Sequence, residues 1–292
     1  MNDGVIEGFE QRRLPGDGIE VAALVAGSGP PLLLLHGYPQ TRMCWAKIAP
    51  RLAERFTVVV PDLRGYGRTD KPEGGGDHSA YSKRTMARDQ VALMRALDFD
   101  RFAVAGHDRG GRVAYRLALD HPEAVTQLAV LDIVPTGDVW AAVNAEKAIK
   151  MWHMTFMVEE TLPERMIAGD PEFFLRWMLQ KHAQEGFAFD PAAMDDYLTC
   201  GSSPEAIHGM CEDYRAAWAI DGGLDDADRG ERKVAAPLLL LWGDQGAIAT
   251  SDPLWKWRSW ADNVQGHAVP GGHFLPEEAS DEVLEAFKDF FH

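Results

Sequence analysis

The stretch Phe102-Ala103-Val104-Ala105-Gly106-His107-Asp108-Arg109-Gly110-Gly111 reads as a buried strand that turns sharply into a helix. The apolar run passes into small-x-Asp-x-small, and glycines at those flanks suit a strained turn where backbones approach closely. The residue at the tip of such a turn is presented for attack on a substrate. Here it is Asp108. A carboxylate in that place displaces a leaving group from an sp³ carbon and leaves an ester on the enzyme, whereas a hydroxyl would attack a carbonyl.

Short apolar runs of the same kind recur at Leu32–Leu35, Val58–Val60, Leu128–Leu131 and Leu238–Trp242. They predict strands buried on both faces, as in a parallel sheet. Between them, Arg84–Leu97 and Arg112–Leu119 carry helical spacing. Strand-helix alternation predicts an α/β fold, a mostly parallel doubly wound sheet. Two alternating segments around Pro15-Gly16-Asp17-Gly18 predict an antiparallel hairpin at one edge. The alternation stops between about Asp138 and Glu231, a stretch rich in Met, Trp and Phe with breaks at Pro163, Pro171, Pro191 and Pro204. The reading is a core of residues 1–137 and 232–292 with a helical cap, 138–231, over the carboxyl ends of the strands, where such sheets bind ligands.

The chain has 292 residues, with Lys+Arg 29 against Asp+Glu 45 and a formal net charge of −16. That balance disfavours nucleic acid and a polybasic membrane patch. Cys44, Cys200 and Cys211 are few and irregularly spaced, as expected of reduced thiols. No basic leader with an apolar run opens the sequence, and no apolar stretch approaches the ~20 residues that span a bilayer. The expectation is a soluble, cytoplasmic protein. The apolar content of the cap would support a homodimer, without locating its surface.

Three further motifs complete the pattern of an α/β-hydrolase fold. Leu35-His36-Gly37-Tyr38-Pro39-Gln40 follows a buried strand, where a loop supplies the Tyr38 N–H to an oxyanion hole whose second donor is the N–H of Arg109. Pro270-Gly271-Gly272-His273-Phe274 places a late histidine, His273, as general base, in the order nucleophile, acid, His. The acid has two candidates. One usual position, after Trp242-Gly243-Asp244-Gln245-Gly246, holds Gly246; the other, Leu131-Asp132-Ile133, sets an Asp among apolar residues at a strand end. Such a carboxylate needs a partner, and a histidine N–H is suitable, so Asp132 is favoured over Asp244. Arg109 and Arg112, at the start of the helix, form a local anion site in an acidic protein, since Arg grips a carboxylate with a bidentate fork. No metal-ligand spacing and no phosphate-binding loop is seen, and no cofactor is expected.

These residues resemble the fluoroacetate dehalogenases among the α/β hydrolases, over nearly the whole chain. The most specific pieces are Gly106-His107-Asp108-Arg109-Gly110-Gly111-Arg112, Leu131-Asp132-Ile133-Val134-Pro135-Thr136, Cys211-Glu212-Asp213-Tyr214-Arg215 and Gly272-His273-Phe274-Leu275-Pro276-Glu277-Glu278. The resemblance implies Asp108 as nucleophile, His273 as base, Asp132 as acid, Arg109 and Arg112 on the substrate carboxylate, and His153 and Tyr214 as halide donors. It implies hydrolytic dehalogenation of a short 2-haloalkanoate, with water and a small anionic substrate as the partners. One position departs from the family. Where a Trp usually follows the cap histidine, this chain has Met154, which cannot donate a hydrogen bond. Chloroacetate is therefore expected to be preferred over fluoroacetate. Two rivals stand beside this reading. An epoxide hydrolase would use the same Asp and His with Tyr197 and Tyr214, and a non-catalytic small-acid receptor would need no base.

Overall fold

The computed structural model describes residues 4–292. Its sheet has eight strands: β1 Glu10–Pro15, β2 Glu20–Ala26, β3 Pro31–Leu35, β4 Thr57–Pro61, β5 Phe102–His107, β6 Val125–Leu131, β7 Leu238–Gly243 and β8 Val264–Val269. Their order is β1-β2-β4-β3-β5-β6-β7-β8. The hairpin β1–β2 sits at one edge in antiparallel register, Glu10 opposite Val25 and Pro15 opposite Glu20. β2 also pairs antiparallel with β4, and every pairing from β4 through β8 is parallel.

The apolar runs divide between the two faces with the period of two that a strand imposes. Leu33 and Leu35 of β3, with Val104 of β5, enter one core beside Met86, Val113 and Leu117 of the helices Lys83–Arg95 and Asp108–Asp120. Leu32 and Leu34 enter the opposite core with Ala105, Leu131, Trp45 and Phe287. Burial on both faces is why four consecutive leucines are used where an exposed sheet would alternate with polar residues.

β8 had no apolar run to announce it. Its sequence, VQGHAV, belongs to an edge strand that is largely exposed, and only Val269 is fully buried. Polar side chains on an edge cost nothing and discourage pairing with another molecule.

Between β6 and β7 the described residues contain no strand; helices run from Thr136–Ala141 through Gly222–Asp228. The prolines that look like breaks are helix starts. Pro163, Pro171, Pro191 and Pro204 each occupy the first turn of a helix, where the missing N–H has no partner to lose. Asp170, Asp190 and Ser203 cap three of these helices by accepting from backbone N–H groups. Among the described residues no helix is long and apolar enough to cross a membrane.

Candidate active site

β5 ends at His107, and the helix Asp108–Asp120 begins without a connecting loop. Asp108 takes up the whole change of direction, with φ 48° in the left-handed region that a non-glycine residue enters at a cost. The helix can start so abruptly because it lies directly on the end of β3: a Cβ on Gly110 would stand 2.3 Å from the carbonyl oxygen of His36. The loop after β3, with a cis Tyr38–Pro39 peptide, turns the Tyr38 N–H onto Oδ2 of Asp108 at 2.9 Å.

Three side chains then meet in line. Nε2 of His273 lies 3.7 Å from Oδ1 of Asp108, and Nδ1 lies 2.6 Å from Oδ2 of Asp132. Asp132, buried just past β6 with φ 50°, also accepts from the Gly243 N–H at 3.2 Å. The bare Cα of Gly246 makes room for it, since a Cβ there would come 2.8 Å from Oδ1 of Asp132. Asp244, the other candidate acid, is exposed and accepts from the Gly271 N–H at 3.2 Å; its partner is backbone, not His273.

Burial alone would push the Asp108 carboxyl up, but His273, His107, Arg109 and Arg112 around it bring it down to about 2. Asp108 is thus an anion at any working pH. Burial pulls His273 down, and the hydrogen bond to and charge of Asp132, with Asp108 beyond, more than reverse this; its pKa stands above the usual imidazole value.

The two arginines differ in a way that sequence position did not reveal. Arg109 is already gripped: Nε donates to Oδ2 of Asp213 at 2.9 Å, and Nη2 donates to Oδ1 at 2.6 Å and to the backbone oxygen at 2.7 Å. Its guanidinium also lies over the Tyr214 ring, 4.3 Å from the centroid. Arg112 donates through Nη1 to the Val134 carbonyl at 3.2 Å and the Thr136 hydroxyl at 3.0 Å, and its buried Nε has no partner among the described residues. Among the described residues it makes no ion pair within salt-bridge distance, and its charge is felt by Asp108 across the cavity.

A cavity of about 460 Å³ joins these groups, lined by Asp108, His273, both arginines and, from between β6 and β7, His153, Met154, His182 and Tyr214. Trp152 does not line it; that ring packs against Phe156, Phe174 and Trp177. Tyr197 is also outside, its hydroxyl donating to Glu277 at 2.9 Å. His153 is pushed down to about 3, by burial first and then by neighbouring His182, so it is a neutral ring at neutral pH.

The family model for the alpha/beta hydrolase fold matches residues 30–280. The chain is 42% identical to a fluoroacetate dehalogenase of Burkholderia sp. over 98% of its own length and 95% of that protein's. The chain belongs to the fluoroacetate dehalogenase family of α/β hydrolases. It is also 33% identical to a soluble epoxide hydrolase of Corynebacterium sp. strain C12, covering 94% of each chain. Among solved structures, a protein from Nostoc sp. PCC 7120, provisionally named an α/β hydrolase, superposes with a TM-score of 0.96 at 46% identity, covering 98% of this chain and 99% of that one. A Pseudomonas aeruginosa protein, provisionally named an epoxide hydrolase and solved as a mutant with bound MFA, gives 0.93 at 46% identity, covering 98% and 96%.

Three residues of this hydrolase were given no role by the sequence reading. Asp213 sits in the quoted Cys-Glu-Asp-Tyr-Arg motif, yet its partners Arg109, Lys83 and Tyr66 are far away in the chain. His182 ends the helix Pro171–His182 and turns its ring to His153, centroids 5.0 Å apart. Glu278 binds the histidine loop on both sides of His273, accepting from the Gly272 N–H at 2.7 Å and the Phe274 N–H at 2.6 Å. A further N–H, that of Gln184 just beyond the helix ending at His182, reaches the same carboxylate at 2.7 Å.

Proposed function

We propose that this hydrolase replaces the halogen of a short 2-haloalkanoate by hydroxyl. The observation that carries the reading is an ionised carboxylate at the strained turn sharing its cavity with Arg112, a buried cation that makes no ion pair among the described residues. A substrate that brings a carboxylate for the arginine and a carbon-halogen bond for Asp108 satisfies both.

The substrate carboxylate docks on Arg112 and on the part of Arg109 left free by Asp213. Asp108 attacks the carbon bearing the halogen from the side opposite the leaving group; the carbon-oxygen bond forms as the halide departs with the bonding pair. His153 and Tyr214 donate to the departing halide, where charge develops only in the transition state. Esterified Asp108 has lost its charge, and with it one of the influences that hold the proton on His273. The imidazole, oriented by Asp132, then takes a proton from water as the oxygen attacks the ester carbonyl. The N–H groups of Tyr38 and Arg109 hold the oxyanion until it collapses: the ester carbon–oxygen bond breaks, the leaving alkoxide takes the proton from His273 to become the 2-hydroxy acid, and the Asp108 carboxyl releases its proton to solvent.

The epoxide reading draws support from Asp108 and Tyr214 in the cavity, but leaves Arg112 without a use. One assay separates the readings: halide release from fluoro-, chloro- and bromoacetate beside hydration of styrene oxide. Halide release that vanishes in Asp108→Asn is the expected result. Diol formation without halide release would overturn it in favour of epoxide opening. Turnover of neither class would favour a binding protein.

A further inference from the structure

Tyr38 does more than lend its backbone N–H. Tyr38 is 4% exposed and lines the substrate cavity, and among the described residues its buried hydroxyl oxygen has no hydrogen-bond partner. Phenylalanine would fill the same space without burying an unsatisfied polar group, so packing does not account for the hydroxyl. The ring lies in the same aromatic cluster as the two groups assigned to the halide. It stacks on His153, with planes 7° apart and centroids at 6.2 Å, and meets Tyr214 edge to face at 5.2 Å. Its backbone is tied to Asp108 at 2.9 Å, so the side chain keeps a fixed position relative to the nucleophile.

We infer that the Tyr38 hydroxyl is a third donor to the departing halide, taking over the part that Met154 cannot play. This rests on the dehalogenase reading above and specifies its leaving-group site. Met154 lines the cavity beside His153 but offers only a thioether, a weak acceptor. The hydroxyl keeps its proton: burial, then the neighbouring Cys211 and Asp108, push its pKa well above the usual phenol value. No proton is transferred. The bonding pair leaves with the halogen, and Tyr38 donates a hydrogen bond to the anion as it forms. Fluoride, small and hard, gains most from each such bond. The preference for chloroacetate expected from Met154 alone therefore becomes a property of the enzyme without this hydroxyl.

The test is Tyr38→Phe, which removes the hydroxyl and leaves the backbone donor in place, with halide release measured on fluoroacetate, chloroacetate and bromoacetate. Fluoroacetate turnover is expected to fall by about ten- to a hundredfold, chloroacetate less, and bromoacetate by no more than about threefold. Adding Met154→Trp to Tyr38→Phe should restore much of the fluoroacetate rate. Equal losses on all three halides, or an unchanged fluoro-to-chloro ratio, would overturn the assignment. A thermal melt accompanies each variant. If Tyr38→Phe fails to fold, Met154→Trp alone decides: a gain on fluoroacetate of less than about threefold means the site already has its third donor, and a gain of tenfold or more overturns the proposal. Failure of the underlying reading looks different. The wild type would then release no halide from any haloacetate, and the proposal would fall with it.

Discussion

Asp108 and His273, 3.7 Å apart, each favour the charged form of the other, and the proposed cycle uses that coupling. Asp108 stays ionised down to about pH 2, so displacement of halide should persist into acid. Ester hydrolysis needs a neutral His273, whose pKa is raised in the free enzyme; protonation as the pH falls removes the base. At about pH 5 a rapid-quench experiment should therefore show a burst of halide, one per site, followed by slow turnover. Near neutrality the burst should merge with the steady state. A burst and a steady rate that fall together with acid would mean that His273 takes part in the first step. The arginines separate at this scale too. Arg112→Lys keeps the charge and loses the planar donor, so KM for haloacetate should rise about ten- to a hundredfold with stability nearly unchanged. Arg109→Ala also strands Asp213, a buried carboxylate bridged to Lys83, and should cost about 3–5 kcal/mol of stability. Denaturant titration beside the kinetics checks both.

At the scale of elements, the loop carrying His273 depends on one carboxylate. Glu278 accepts from N–H groups on both sides of the base and from Gln184, so it ties the histidine loop to the chain just after Pro171–His182. The His273 N–H, donating to the His182 carbonyl at 3.1 Å, makes a second tie between the same segments. In Glu278→Gln an amide N–H₂ faces a backbone donor, which should cost about 1–3 kcal/mol. Ester hydrolysis should slow much more than the halide burst, because only the second step needs His273 in place; an equal loss in both steps would argue for general destabilisation. This clamp was not legible in the sequence, where Glu278 is one acid among many near a helix start. The parallel strands were legible because burial on both faces demands apolar runs, and β8 was not, because an exposed edge does not. Asp108 and His273 stood out through local turn chemistry and chain order. The competition between Asp132 and Asp244 needed coordinates, since it turns on which carboxylate reaches a ring more than a hundred residues from one and close in sequence to the other. The engagement of Arg109 by Asp213 likewise depends on how the helices between β6 and β7 lie over the sheet.

The molecule as a whole carries a net charge of −16, yet Arg109, Arg112, Lys150 and Lys181 line one cavity. Long-range repulsion is screened within about 8 Å at physiological ionic strength, whereas a buried guanidinium acts at contact, so the local field governs binding. That cavity lies where residues of the sheet's carboxyl ends meet residues from the long helical stretch between β6 and β7. Sheet residues supply the nucleophile, base and acid of the proposed cycle, and the helical stretch supplies the groups facing the leaving halide. The whole cycle turns on a covalent ester at Asp108. Peptide-mapped mass spectrometry of His273→Ala after incubation with chloroacetate tests that most directly. One carboxymethyl group per chain on Asp108, absent when Asp108→Asn is added, is the predicted result. Continued catalytic release of chloride with Asp108 unmodified would contradict it.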